Sequence, residues 1–265
     1  MMSATDQAPA GDTLRLDGQR ALVTGASGNI GRGIARQLAR AGADVVVHYC
    51  RDEGGARQTS EEIEALGAGA TVVQADLSSE SEVRALFERL SRGDKPLLSV
   101  VNNAALQPVC PLPELAGDDW REVLAANLDS AFLVSQAAAS YWRAAGWAGS
   151  IVNIASIEGL DPAAGHSHYA SSKAALLMFT RAAALEFGPD GIRVNAVSPG
   201  LVDVDGLEEA WPDGVRRWRD KAPLGRLGDA GDVANAVLFL LSPAASWISG
   251  ANLVVDGGMS SVSRW

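Results

Sequence analysis

Cysteine is scarce: Cys50 and Cys110 are the only two in 265 residues, and their spacing suits no metal. A disulfide framework is therefore not indicated, and a reducing cytoplasm is the expected setting. Basic residues are outnumbered, with 22 Lys and Arg against 32 Asp and Glu and a formal charge of −10. That balance argues against a nucleic-acid footprint and against docking on an anionic membrane. No apolar run approaches the roughly 20 residues that span a bilayer. The opening "MMSATDQAPAGDT" has no basic start and no apolar stretch, so it does not read as a secretory signal. Residues 1–15 are expected to be a disordered tail ahead of a single domain over 16–265.

With 47% hydrophobic and 20% charged residues, the chain has the profile of a globular domain with a substantial core. Short β-rich apolar runs alternate with Ala/Leu/Arg stretches of helical period. Strands are expected at 20–25, 44–50, 70–76, 97–105, 150–156, 192–200 and 252–258. Helices are expected at 30–42, through Ile63 to about Gly67, and at 81–92, 118–145, through Tyr169 to Phe187, and 232–242. Several strands lack polar alternation, as in a parallel sheet buried on both faces. The expectation is an α/β fold, a doubly wound sheet of seven mostly parallel strands with helices on both faces. Segment 201–229 breaks the rhythm, carrying Trp211 and Trp218 in a charged, irregular stretch. It reads as a mobile lid over the substrate pocket, against the alternative of a solvated helical hairpin whose tryptophans pack on the body.

The stretch richest in chemistry is "SIVNIASIEGLDPAAGHSHYASSKA". A buried strand runs into Ser156, and a helix beyond the following loop carries Tyr169 and Lys173 at i and i+4, on one face. A phenol titrates near pH 10, and an adjacent ammonium is expected to pull it down toward the working range. Ser156 lies at a strand's carboxyl end, where open α/β sheets bind ligands, and its hydroxyl is placed to hold a carbonyl oxygen. The pattern suits proton transfer to or from an alcohol oxygen, although Tyr-x-x-x-Lys alone also arises on exposed helix faces. Upstream, "TGASGNIGRG" (24–33) sits between a strand and a helix, where glycines let backbone approach a pyrophosphate. Its alternative is an ordinary tight turn.

Taken in order, "TGASGNIG", "NNAA" (102–105), "IVNIAS", "YASSK", "NAVSPG" (195–200) and "VDGG" (255–258) resemble the motifs of the short-chain dehydrogenase/reductase family, from about Arg20 to Met259. The resemblance implies a Rossmann fold and a catalytic set of Asn127, Ser156, Tyr169 and Lys173. Tyr169 would be the acid–base group, and Lys173 would tune it and hold the nicotinamide ribose. Ser156 would orient the carbonyl, and Asn127 would support a water relay to the lysine. Cofactor contacts are implied for Gly25, Ser27, Asn29, Ile30, Gly31, Tyr49, Arg51, Asp76, Leu77, Asn103, Ala104, Pro199, Gly200 and Val202, besides Tyr169 and Lys173. Asp76 would contact adenine and Asn103 would steady the fourth strand. The sequence departs from the pattern at Asn29, which stands for a glycine but tolerates a left-handed backbone. It departs again at Ala105, and at Val204 where a threonine often bonds the carboxamide.

Tyr49 ends the second strand where an acidic residue would bond the NAD ribose, and Arg51 follows with a fork suited to a 2′-phosphate. The string resembles that of NADP-using reductases, and NADP is expected over NAD, with Asp52 as a charge opposing that choice. The expected activity is hydride transfer between nicotinamide and a ketone or secondary alcohol. Alternatives are a 3-oxoacyl-thioester reductase on the same scaffold and a non-catalytic dinucleotide-binding redox sensor. A small-molecule substrate, no metal and a homotetramer are expected. Gln107, Cys110, His166, His168, Trp211 and Trp218 are candidate pocket residues, the two histidines as loop polar groups and not as metal ligands. The terminal "SSVSRW" extends beyond the family's closing motif.

Overall fold

The computed structural model describes residues 13–262. The apolar runs become strands, buried on both faces at the centre of the sheet and part-exposed at its two edges: β1 (Arg20–Val23), β2 (Asp44–Tyr49), β3 (Ala70–Gln74), β4 (Leu97–Asn102), β5 (Ser150–Ile154), β6 (Arg193–Pro199) and β7 (Asn252–Val255). They form one seven-stranded sheet in the order β3-β2-β1-β4-β5-β6-β7. Every pairing is parallel. The helices that return the chain are α1 (Asn29–Arg40), α2 (Glu53–Glu64), α3 (Glu80–Leu90), α4 (Gly117–Leu124), α5 (Ser130–Ala145), α6 (Ser167–Phe187) and α9 (Ala230–Leu241). The strand order reverses between β1 and β4, so the crevice beyond their carboxyl ends is the ligand site of this architecture.

Neighbouring side chains in a strand enter opposite cores. Val23, Val45, Val47, Val152 and Val197 pack with Ile34 and Leu38 of α1 and with Val233 and Val237 of α9. Leu22, Val46, Val100, Ile151 and Val194 pack with Leu86 of α3 and with Val134 and Trp142 of α5. Helices α2, α3 and α9 start where short polar side chains cap them. Asp52 accepts from Gly55 N at 2.9 Å to open α2, and Asp229 and Asp232 form a reciprocal capping box at α9.

Two places refine the expectations. The helix expected over 118–145 is one helical run, but a π turn at Ala125–Asp129 separates α4 from α5 and carries Asn127. Residues 201–229 hold the short helices α7 (Leu207–Ala210) and α8 (Pro212–Lys221). Val215 of α8 is fully buried, and the Trp218 indole lies against Gly200. Trp211 is 49% exposed with Arg217 over its ring. The segment thus has the packed tryptophan of the hairpin alternative while hanging over the edge expected of a lid.

Most of the expected tail, residues 1–12, lies outside the described residues, as do the last three, including Trp265. Leu16 N donates to Ala41 O at 2.8 Å and Ala244 N to Thr13 O at 3.2 Å, so the chain is tied to the body from Thr13. Among the described residues no helix is long and apolar enough to cross a membrane, and no His/Cys/Asp/Glu cluster could hold a metal.

Trp142 is fully buried and donates its indole N–H to Leu97 O at 2.6 Å, tying α5 to the start of β4. Trp142→Ala should cost roughly 3–5 kcal/mol through the cavity left behind. Urea unfolding followed by far-UV circular dichroism should show a markedly lower midpoint with little change in slope.

Candidate active site

The glycine turn between β1 and α1 is shaped by close approach. Gly25 has φ +61°, and a Cβ there would stand 2.9 Å from Ala104 Cα. A Cβ on Gly31 would stand 2.6 Å from Asn103 Nδ2. Asn29 is the one non-glycine residue with positive φ among the described residues, at +49°, so asparagine does fill the left-handed place a glycine would take. Asn103 bolts the turn to the end of β4, its amide donating to Thr24 O at 2.9 Å and Gly25 O at 3.0 Å. Thr24 Oγ1 accepts from the N–H of Asn103 and of Ala104 at 2.8 and 3.0 Å. No acidic residue lies in the first turn of α1, so its amino terminus presents uncompensated N–H groups. Ser27 and Ile30 are half-buried in this turn.

His48 was not singled out by the sequence, yet it joins this turn to the next two strands. It is fully buried, accepts from Gly25 N at Nδ1 (3.2 Å) and faces Ala75 O through Nε2 (3.0 Å). Burial pushes its pKa down to about 4, so the ring is neutral with its proton on Nε2. The signal was an imidazole inside "DVVVHY", where a strand buried on both faces obliges each ring nitrogen to find a partner.

Beyond β2, Tyr49 is half-buried and Arg51 reaches outward, its side chain 82% exposed and 4.0 Å from Glu122. The Asp52 carboxylate is spent on capping α2. Asp76 stands at the exposed end of β3, and bonds from the Ser78 hydroxyl and N–H hold its pKa below the usual carboxylate range. Leu77 beside it is buried. Across the crevice, Pro199 ends β6 and Gly200 N donates to Val255 O. Val202 is buried and bridges Gly228, while Val204, at the place of the family's threonine, is half-buried.

Ser156, Tyr169 and Lys173 converge beyond β5. All three are buried, at 8%, 8% and 2% exposure. The Ser156 hydroxyl faces the Tyr169 phenol and acts to lower its pKa. Lys173 Nζ lies 5.5 Å from the centroid of the Tyr169 ring and donates to Ile154 O at 2.7 Å. A Cβ on Gly159 would meet the backbone of Lys173 at 2.9 Å, so the loop after Ser156 rests directly on α6. The electrostatics differ from the expectation of a lowered phenol. Burial pushes the Tyr169 pKa up to about 12, against the pull of Ser156, and the Glu158 carboxylate adds to the rise. Burial also pushes Lys173 down to about 8. The amine is committed to the strand-end carbonyl and lies over the ring face, and burial is the largest influence on both groups.

Asn127 is fully buried in the π turn. Its amide donates to Leu106 O (2.9 Å) and Ser172 Oγ (3.0 Å) and accepts from Leu106 N (2.7 Å). It latches the loop after β4 onto α6, one residue from Lys173.

Of the candidate pocket residues, Gln107 and His166 both hydrogen-bond Glu158. Cys110 N donates to Gly165 O, and its thiol is free, as is that of Cys50. His168 is not a loop residue: it lies in α6 one turn before Ser172, fully buried, with neither ring nitrogen bonded to protein.

A glycine turn that admits backbone-close ligands, facing a Ser/Tyr/Lys cluster across one sheet edge, defines a dinucleotide-dependent oxidoreductase. Comparison with known proteins agrees. The family model described as enoyl-(acyl carrier protein) reductase matches residues 25–260. The chain is 40% identical to the 3-oxoacyl-[acyl-carrier-protein] reductase of Pseudomonas aeruginosa, over 93% of this chain and 99% of that one. It is 39% identical to the L-rhamnose 1-dehydrogenase (NAD(P)(+)) of Azotobacter vinelandii, over 90% and 95% of the two chains. The crystal structure of a gluconate 5-dehydrogenase from Burkholderia cenocepacia, in complex with NADP and tartrate, superposes with a TM-score of 0.89. That pair is 33% identical, with 96% of this chain and 100% of that one covered. The protein belongs to the short-chain dehydrogenase/reductase family. It is a nicotinamide-dependent enzyme acting on CH–OH and C=O groups.

Unfolding should expose the acid linkage of His48. Its folded pKa of about 4 lies below the usual value near 6.5, so the unfolded chain binds the extra proton first. Stability should be fully present above about pH 6.5 and fall by ~1.4 kcal/mol per pH unit down to about pH 4. Urea midpoints at pH 7 and pH 5 should differ more for the wild type than for His48→Asn.

Proposed function

We propose that the enzyme is an NADP(H)-dependent carbonyl reductase, reversible as a secondary-alcohol dehydrogenase, in which Tyr169 carries the proton. The carrying observation is the shared burial of Ser156, Tyr169 and Lys173 at the sheet edge, where the Ser156 hydroxyl acts on the Tyr169 phenol, across from the Gly25–Gly31 turn. The turn, the bare amino terminus of α1 and Asn103 fit a pyrophosphate, with Gly25, Ser27, Asn29, Ile30 and Gly31 around it. Asp76 and Leu77 would flank the adenine, and Asn103, Ala104, Pro199, Gly200 and Val202 would border the nicotinamide. When bound, the nicotinamide would supply or accept the hydride at the substrate carbon.

The protein's own part is to hold the carbonyl oxygen between Ser156 Oγ and the Tyr169 hydroxyl. A phenol with a pKa near 12 is protonated at neutral pH. That is the form needed for reduction, because a developing alkoxide is a far stronger base than a phenolate and takes the proton readily. In oxidation the phenolate must form first. Lys173 stabilises that anion from the ring face, and Asn127 holds α6 in place through Ser172, next to the amine. Tyr49 in place of an acid, the unspent Arg51 guanidinium and the diversion of Asp52 into a helix cap support NADP over NAD. A second reading, 3-oxoacyl-thioester reduction, is favoured by the likeness to the Pseudomonas aeruginosa enzyme.

The exposed face of α6, with Met178 and Leu185 at 60% and 80% exposure, and Phe132 on α5, supports a homotetramer. A soluble cytoplasmic setting accords with the free cysteines.

Tyr169→Phe should lower kcat at least 1,000-fold while the Kd for NADPH, read by fluorescence, changes less than threefold. Alcohol oxidation by the wild type should accelerate as pH rises from 7 to 10, and reduction should slow. Arg51→Ala should lower kcat/KM for NADPH by about tenfold and leave that for NADH unchanged, since one exposed phosphate contact is at stake. A wild-type preference for NADH would overturn the cofactor assignment.

A further inference from the structure

Glu158 is a carboxylate the catalytic set does not use, two residues past Ser156 on the wall of the same site. Its side chain is only 16% exposed. Its backbone N–H donates to Ser156 Oγ at 3.1 Å, which fixes it beside the group that holds the reacting oxygen. Oε1 accepts from Gln107 Nε2 at 3.1 Å, and His166 Nδ1 stands 3.1 Å from Oε1 and 2.8 Å from Oε2. The His166 ring packs edge-on against Tyr169, with centroids 6.1 Å apart. Glu158 is also the charge that acts on the Tyr169 phenol. Among the described residues no lysine or arginine hydrogen-bonds it. A carboxylate offers about four lone-pair sites, and these neighbours fill only part of them. Keeping an ionised group so nearly out of water is costly unless further donors meet it.

We propose that Glu158, with Gln107 and His166, is a hydroxyl-binding subsite, and that the substrate is an uncharged polyol or sugar-like molecule with a hydroxyl on the carbon next to the reacting one. The inference rests on the alcohol/ketone chemistry assigned above to Ser156 and Tyr169. The neighbouring hydroxyl donates its O–H to Glu158 and accepts from the Gln107 amide or the His166 ring. It is unchanged by turnover: the reacting carbinol alone loses a hydride to the oxidised nicotinamide and a proton through Tyr169. A carboxylated substrate would place two negative charges together, and an acyl chain would leave the Glu158 lone pairs dry and unpaired. The first is disfavoured by like-charge repulsion, the second because an acceptor shut off from water without a donor costs more than a made bond returns.

The test compares matched pairs with wild-type enzyme: 3-hydroxy-2-butanone against 2-butanone in reduction, and cis-1,2-cyclohexanediol against cyclohexanol in oxidation. Acetoacetyl-CoA, gluconate and trans-2-aminocyclohexanol serve as thioester, anionic and cationic arms. The hydroxylated member of each pair should have at least tenfold higher kcat/KM and should exceed all three arms. Glu158→Leu should bring the within-pair ratio to within threefold of one, chiefly through KM on the hydroxylated member. Glu158→Gln, which keeps shape and one acceptor, should retain part of the ratio and covers the case that the leucine variant misfolds. If Glu158 merely clamps its loop, both members of a pair will fall together and the ratio will stand, which overturns the subsite. A wild-type ratio near one, or preference for any of the three arms, overturns it while leaving the oxidoreductase reading intact. Failure of every compound with either nicotinamide, with NADPH still bound, overturns both.

Discussion

A single hydrogen bond from a buried amine fixes the geometry of this site. Lys173 is almost wholly out of water, and its Nζ donates to the carbonyl of Ile154, the last residue of β5. The terminal carbonyl of a parallel strand at the sheet edge has no further strand partner, and an ammonium left bare in the interior would be costly. Each group satisfies the other. The bond sets α6 at one height against β5, and Tyr169, one turn earlier on the same face, is thereby brought opposite Ser156. The structure spends the lysine on position, and burial decides the direction in which Tyr169 titrates.

Around that bond lies a polar lattice inside an otherwise apolar core. Asn102 at the end of β4 donates to Asn153 of β5 at 2.8 Å and to Ser135 of α5 at 3.0 Å. Asn153 donates to Thr180 of α6 at 2.8 Å, and Thr180 to Leu176 O within the helix. Asn127 adds the link from the loop after β4 to Ser172. Hydrocarbon packing would tolerate a small slide of α6 along the sheet, whereas directional bonds do not. The buried amides therefore serve to fix register, a cost in desolvation returned as precision at Tyr169.

Much of this was legible in the sequence, for identifiable reasons. Runs such as "DVVVHY" and "SIVNI" lack polar alternation, and that alone indicates strands buried on both faces. The turn at Asn29 was readable because few side chains tolerate a left-handed backbone. What escaped reading depended on contacts distant in the chain. His48 bonds Gly25 and Ala75 from three separate segments, and Glu158 meets Gln107 across 51 positions. No local period records such meetings. The π turn at Asn127 was hidden because one extra residue in a helical run leaves the apolar spacing nearly unchanged. The sign of the Tyr169 shift is not legible in spacing, which says that two residues share a face but not how deeply both are buried.

The division of labour along the sheet edge follows from where charge can be tolerated. On the β2 side the groups are exposed, and the Arg51 side chain, 82% accessible, is held by little more than a distant Glu122. Such a cation costs little to keep waiting in water and can meet a phosphate without prior desolvation. On the β5 side Ser156, Tyr169 and Lys173 are buried: Lys173 is answered by Ile154 O and Ser156 by Glu158 N, while half-buried Glu158 is met only in part by Gln107 and His166. Chemistry that depends on proton affinity belongs on this second side, because only where water is excluded does one neighbouring group change another's acidity appreciably. One sheet edge thus carries an exposed cation at one end and a buried polar cluster at the other, with solvent access as the variable that separates them.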